Sequence, residues 1–141
     1  MICLIAVLAI YSPMHPRHAP AFRNAVEVCE EIVERAHDAS LIDPVLVVAV
    51  ASEETRFQRD LESPSGAIGA LQILPEYWCP REGACNSIDA GISALSYYIT
   101  KYEGDELRAL TGYAGSGKRA RKYARRVMKR VAHIRATLDA L

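Results

Sequence analysis

The sequence predicts a mainly α domain. Three observations carry that prediction. Apolar residues recur at spacings of three and four along most of the chain, start and stop signals bracket those runs, and no segment alternates in the two-residue period of a strand. Composition agrees: 50% of the 141 residues are hydrophobic and 24% charged. That is globular and excludes a disordered chain, a collagen-like repeat or a disulfide-dense miniprotein. The length suits one domain with a modest core. The formal charge of zero balances 17 basic against 17 acidic residues, but it is a cancellation. Residues 1–106 hold 7 Lys and Arg against 16 Asp and Glu, and residues 107–141 hold 10 against Asp139 alone. An anionic partner is therefore not excluded by the total.

Residues 1–11 are apolar throughout, too short a run to span a bilayer, which takes roughly 20 residues. Two readings stand: the apolar core of an export signal, although no basic residue precedes it and no clean Ala-x-Ala site follows, or a buried strand or docked segment. Residues 12–20 carry three Pro and read as an extended linker. The organisation is thus 1–20, an N-terminal segment with its linker, and 21–141, the main domain.

From Phe22, the residues Val26, Cys29, Val33 and Ala36 share one helical face, opposite Glu27, Glu30, Glu31 and Glu34. Cys29 on that face reads as a buried free thiol. Asp43-Pro44 starts the next helix, with a side-chain acceptor followed by a residue suited to the first helical position. Its run Val45 to Ala51 is apolar on every side and marks the buried centre of the domain. Residues 60–69 read as a loop, and 70–78 as a short helix that Pro75 kinks or ends. A second loop carries Cys79 and Cys85, six apart around a Pro/Gly turn, where a disulfide closes easily and would imply an oxidising compartment. A helix then covers 87–102, stopped by Gly104, and a short one covers 105–111. Residues 112–117 read as a Gly-rich turn. The last helix, 118–138, has an apolar stripe at Ala120, Tyr123/Ala124, Val127, Val131, Ile134 and Leu138, with basic residues over most of the rest. The four His show no metal-ligand spacing, so no metal is expected.

The buried helix ends in Glu53-Glu54. A carboxyl carried out of water is pushed towards its neutral acid unless it is paired, which is what a general acid near neutral pH needs. The two side chains lie about 100° apart on a helix, so one can pair with Arg56 or Arg35 while the other faces a cleft. The plainer reading is two solvated acids at a helix end.

Downstream residues add a resemblance. Glu54-Thr55-Arg56-Phe57, then Ser63-Pro64-Ser65-Gly66-Ala67-Ile68-Gly69-Ala70-Leu71-Gln72 and Pro75, resembles the soluble lytic transglycosylase family, lysozyme-like enzymes that cleave peptidoglycan glycan strands. The lead-in from Leu41 to Leu46, Asn86-Ser87-Ile88-Asp89-Ala90-Gly91 and Thr111-Gly112-Tyr113-Ala114-Gly115 resemble further family segments, so the likeness spans residues 41–131. Thr55 stands where Ser is usual, and the Asn that normally follows Tyr113 is absent.

The resemblance implies a lysozyme-like α domain in which Glu54 is catalytic. That carboxyl would protonate the glycosidic oxygen between N-acetylmuramic acid and N-acetylglucosamine, then take the proton of the sugar's own 6-hydroxyl to leave a 1,6-anhydro end. It implies substrate contacts from Ser63, Gln72, Tyr113 and Ala70, with no cofactor. Asp60 or Glu62 as a second carboxylate would favour hydrolysis instead. Trp78, Tyr97 and Tyr98 can line sugar subsites or simply pack, and Phe57 reads as core. The alternatives are a goose-type-lysozyme-like hydrolase and a non-catalytic wall-binding protein. The implied setting is the periplasm, cell wall or a virion, with the protein a monomer on peptidoglycan glycan strands. The basic last helix is either a solvated face or a contact for anionic wall polymer or lipid headgroups. No recognition motif for sequence-specific nucleic acid accompanies it.

Overall fold

The computed structural model describes residues 1–39 and 42–141, so Leu41 of the family-like lead-in lies outside the described residues. Its seven named helices are α1 (Ile2–Leu8), α2 (Ala19–Ala39), α3 (Pro44–Thr55), α4 (Pro75–Trp78), α5 (Ser87–Lys101), α6 (Glu106–Ala114) and α7 (Gly117–Asp139). Among the described residues the only β pairing is two isolated bridges, Glu62 with Ile68 and Ile68 with Ile73. The fold is mainly α, as the periodicity predicts.

The centre is α3. Asp43 caps it, its side chain accepting from the Val45 N–H at 2.9 Å, with Pro44 in the first turn. Every residue from Val45 to Ser52 is buried, because α1, α2 and α7 all pack against this one helix. The α6 and α7 pair closes the domain on one side, and α5 joins α6 to α2. At the C-terminal end of α3 the chain turns through two successive left-handed residues, Arg56 (φ 54°) and Phe57 (φ 65°). The Phe57 N–H reaches back to the Ala51 carbonyl, a Schellman-type closure made without the usual glycine. Phe57 is 1% exposed, a core residue as expected.

Several expectations are corrected. Residues 1–11 contain a helix, not a strand, and α1 packs on α2, α3 and α7. Cys29 is not a free thiol: it is bonded to Cys3, with Cα atoms 5.6 Å apart. The apolar face that buries Cys29 is the face α1 docks on, so the partner comes from 26 residues away. Residues 12–18 form turns instead of an extended linker, and α2 begins at Ala19, with Pro20 in its first turn where a missing N–H costs nothing. Residues 69–72 are a tight turn, not helix; within 70–78 only Pro75–Trp78 is helical, with Pro75 opening it. Gly112 to Ala114 belong to α6. A Cβ on Gly112 would lie 2.8 Å from Tyr98 Cδ1, so glycine here permits close helix packing and is not a turn signal.

The Cys3–Cys29 bridge closes a long loop, and its removal is expected to cost about 2–4 kcal/mol. The Cys3→Ser/Cys29→Ser pair should therefore melt roughly 10 °C lower than wild type in circular dichroism. An unchanged Tm would show that α1 docks without its help.

Candidate active site

The end of α3, the 60–74 loop, α4 and the outer flank of α7 enclose a cleft of about 610 Å³. Glu54 lines it, together with Ser63, Gln72 and Tyr113. The structure thus brings together four of the five residues expected at the site. Ala70 is the exception. It is 1% exposed and its carbonyl accepts the Thr55 hydroxyl at 2.9 Å. It therefore sits beneath the cleft wall, locking the loop to α3, because the tight turn at 69–72 points its side chain inward. Thr55, in the place of the usual Ser, supplies that lock.

The other three act first on the protein itself. The Gln72 amide donates to the carbonyls of Leu61 and Gly69, both at 2.9 Å. Gln72 (φ 52°) and Gly69 (φ 77°) are both left-handed, which sets the sharp turn. The Ser63 hydroxyl accepts from the Ala67 N–H at 3.0 Å and pairs with Ser65 at the same distance. The Tyr113 hydroxyl donates to the Leu71 carbonyl, not to Glu54. Burial pushes its pKa well above the usual value, with the Glu54 charge adding to the effect. Trp78 and Tyr98 form an aromatic wall, ring centroids 6.2 Å apart, and the Cys79–Cys85 disulfide closes the loop that follows Trp78. Tyr97 stacks edge-on against both rings but is 52% exposed and does not line the cleft. Asp60 and Glu62 do not line it either. Among the described residues Glu54 is the cleft's only carboxylate.

Glu53 and Glu54 are driven apart in protonation. Glu53 pairs with neither Arg56 nor Arg35. It takes Arg126 Nε at 2.6 Å and Arg130 Nε at 2.8 Å, while Arg130 also reaches the Ser52 hydroxyl at 2.9 Å. Arg56 instead lies over the Tyr11 ring, and Arg35 bonds Glu31 and Asp89. Burial works to raise the Glu53 pKa, but the two arginine bonds outweigh it and hold the carboxyl below its ordinary range. Glu54 faces the cleft without such a partner. Burial raises its pKa to about 7 and the adjacent Glu53 charge adds to the rise, while Tyr123 and Arg126 counter part of it. Two adjacent carboxyls, one lowered by its arginine bonds and one raised by burial, form an arrangement suited to acid/base chemistry.

Tyr123, Arg119 and Arg126, all on α7, also line the cleft, and motif reading did not assign them to it. Tyr123 Oη is buried and completes no well-formed hydrogen bond among the described residues. It lies against the Glu54 carboxyl closely enough to favour the ionised form. Tyr123→Phe should therefore raise the Glu54 pKa further above about 7, as read by carbon NMR titration of the side-chain carboxyl. A fall would show that Tyr123 does not stabilise the anion.

Among solved structures, the chain is similar to the crystal structure of the 70 kDa soluble lytic transglycosylase from Escherichia coli. The TM-score is 0.65 at 17% identity, covering 77% of this chain and 24% of that one. The two share a fold, and the chain spans about a quarter of that enzyme's length. No protein-family model matches the chain.

Proposed function

We propose that the protein is a peptidoglycan lytic transglycosylase that uses Glu54 as its single acid/base. The observation that carries this reading is a lone cleft carboxyl whose burial raises its pKa to about 7, at the end of the central helix of a fold shared with a lytic transglycosylase. A group poised there can give a proton and then take one back without leaving the neutral range.

Glu54 starts protonated and donates to the glycosidic oxygen as the bond to the N-acetylmuramic acid anomeric carbon breaks. The substrate's N-acetyl group supports the electron-poor centre, so a second protein carboxylate is not needed there. The Glu54 carboxylate then removes the 6-hydroxyl proton as that oxygen attacks the anomeric carbon, and the acid is restored. Trp78 and Tyr98 offer apolar ring faces to the sugars. Ser63 and Gln72, already braced to the loop, fix the floor near Glu54. The placement of Asp60 and Glu62 outside the cleft favours this route over hydrolysis by a carboxylate pair. The reading carries a periplasmic or wall-side location with it. No described helix is long and apolar enough to cross a membrane.

Digestion of purified sacculi followed by mass spectrometry tests the reaction. Muropeptides ending in 1,6-anhydro-muramic acid are expected. Products with reducing ends alone would make the protein a hydrolase, and no products at all would leave it a binding scaffold.

A further inference from the structure

A second cavity adjoins the cleft at Ser116, between α6 and α7. Its volume is about 350 Å³, within the range of small-ligand pockets. Three exposed arginines line it: Arg108 from α6, and Arg121 and Arg125 from α7. Tyr102 and Leu107 give it apolar walls, and no carboxylate lines it among the described residues.

The arginines of α7 divide by pairing, with Arg119 on the Glu54 cleft also free of an ion pair among the described residues. Arg126, Arg130 and Arg135 are all neutralised by carboxylates, the last by Asp43 and Glu106 at 2.9 Å each. Arg108, Arg121 and Arg125 form no ion pair among the described residues. Arg108 is steadied only by the face of Tyr102, its guanidinium carbon 4.8 Å from the ring centroid. Arg121 and Arg125 stand four residues apart on one helix, a like-charge spacing that destabilises it. A third positive charge from the facing helix adds to that cost. An anion seated between them would reverse its sign.

We propose that this cavity binds the phosphate group of a small phosphorylated polyol, of which glycerol phosphate is the simplest. Guanidinium forks donate in pairs to phosphate oxygens, and a phosphate carries enough charge to face three cations at once. Thr111 and Ser116 also line the cavity and supply hydroxyls to meet those of a short polyol beyond the phosphate. Glycerol phosphate occurs both as a lipid headgroup and in soluble polymers, and the site's chemistry is the same for each. Of its lining residues only Ser116 also lines the Glu54 cleft, and none of the three arginines does, so the site stands whether or not the protein cleaves glycan.

Titration calorimetry with glycerol 3-phosphate at low salt is the test, using the full chain. Binding is expected for wild type, at least tenfold weaker for Arg121→Gln/Arg125→Gln, and weaker also for Arg108→Gln. The control Lys122→Gln/Lys129→Gln removes the same charge from exposed positions that do not line the cavity, and should stay within twofold of wild type. Equal losses in both double variants would overturn the proposal, since diffuse charge would then explain binding. So would wild-type binding of glycerate as tight as that of glycerol 3-phosphate, or no binding of the phosphate at all. Circular dichroism melting confirms that each variant is folded. Cosedimentation with phosphatidylglycerol vesicles identifies the source. Binding lost in Arg121→Gln/Arg125→Gln assigns a lipid headgroup, and binding of the soluble phosphate without the vesicles assigns a soluble one.

Discussion

Glu54→Gln is expected to lower the rate of sacculus digestion by about a thousandfold or more, since acid/base contributions of 10²–10⁴ are ordinary for one residue and the proposed reaction assigns both proton transfers to this one. The amide is nearly isosteric, so binding of glycan strands should persist, and loss of binding together with turnover would point to a damaged cleft. The same substitution has an opposite effect on stability. A carboxyl raised from 4.5 to about 7 by folding contributes stability that is fully present below its unfolded pKa and is lost as pH rises through its folded pKa. Between those values the native state gives up as much as about 3 kcal/mol. Glu54→Gln has no such loss, so at pH 8 it should melt above wild type, with the gap closing near pH 4. Wild-type activity in Glu54→Gln would remove Glu54 from the mechanism. A Tm at pH 8 no higher than wild type would remove the buried, high-pKa acid.

Glu53→Gln is expected to move the pH profile without removing the acid. Its carboxylate raises the Glu54 pKa by repulsion and occupies Arg126, whose charge works the other way on Glu54. Removing the charge lowers the Glu54 pKa on both counts. Digestion should then fail at lower pH: a downward shift of one unit in the alkaline limb means roughly tenfold less activity at pH 8. Activity near pH 5 should survive. Arg126 and Arg130 also lose their partner, so a stability cost accompanies the shift, of the kind that follows removal of one member of a partly buried ion pair. Glu53→Asp keeps the charge and should restore the wild-type profile even if some stability is lost. An unshifted alkaline limb in Glu53→Gln would mean that the pairing on α7 does not tune the cleft acid.

What the sequence disclosed followed from local pattern. The apolar run before Glu53 pointed to a buried helix, and the residues after Glu54, more than its spacing, pointed to a perturbed acid in place of a solvated one. Asp43-Pro44 announced a helix start that the structure bears out, with the Asp43 side chain accepting from the Val45 N–H, whereas the Asn86 cap on Ile88 and Asp89 was not read from the sequence. What stayed hidden was long-range. Arg126 meets Glu53 across 73 positions of sequence, and nothing local distinguishes it from the unpaired Arg125 beside it. Tyr123 read as one more member of an apolar stripe. Gly112 looked like a breaker because its role, close approach to Tyr98 and Tyr102, depends on rings from another helix. Ala70 carried a motif position, but a motif does not say which way a tight turn points its side chain.

The sharp division of charge along the chain also bears on how the molecule is assembled. Glu53 meets its two counter-ions only where α7 packs on α3, across 73 and 77 positions of sequence. Undocking α7 would strip both arginines from that carboxylate and take Tyr123 and Arg126 away from Glu54. One helix contact therefore couples the charge balance of the domain to the protonation of its cleft carboxyl.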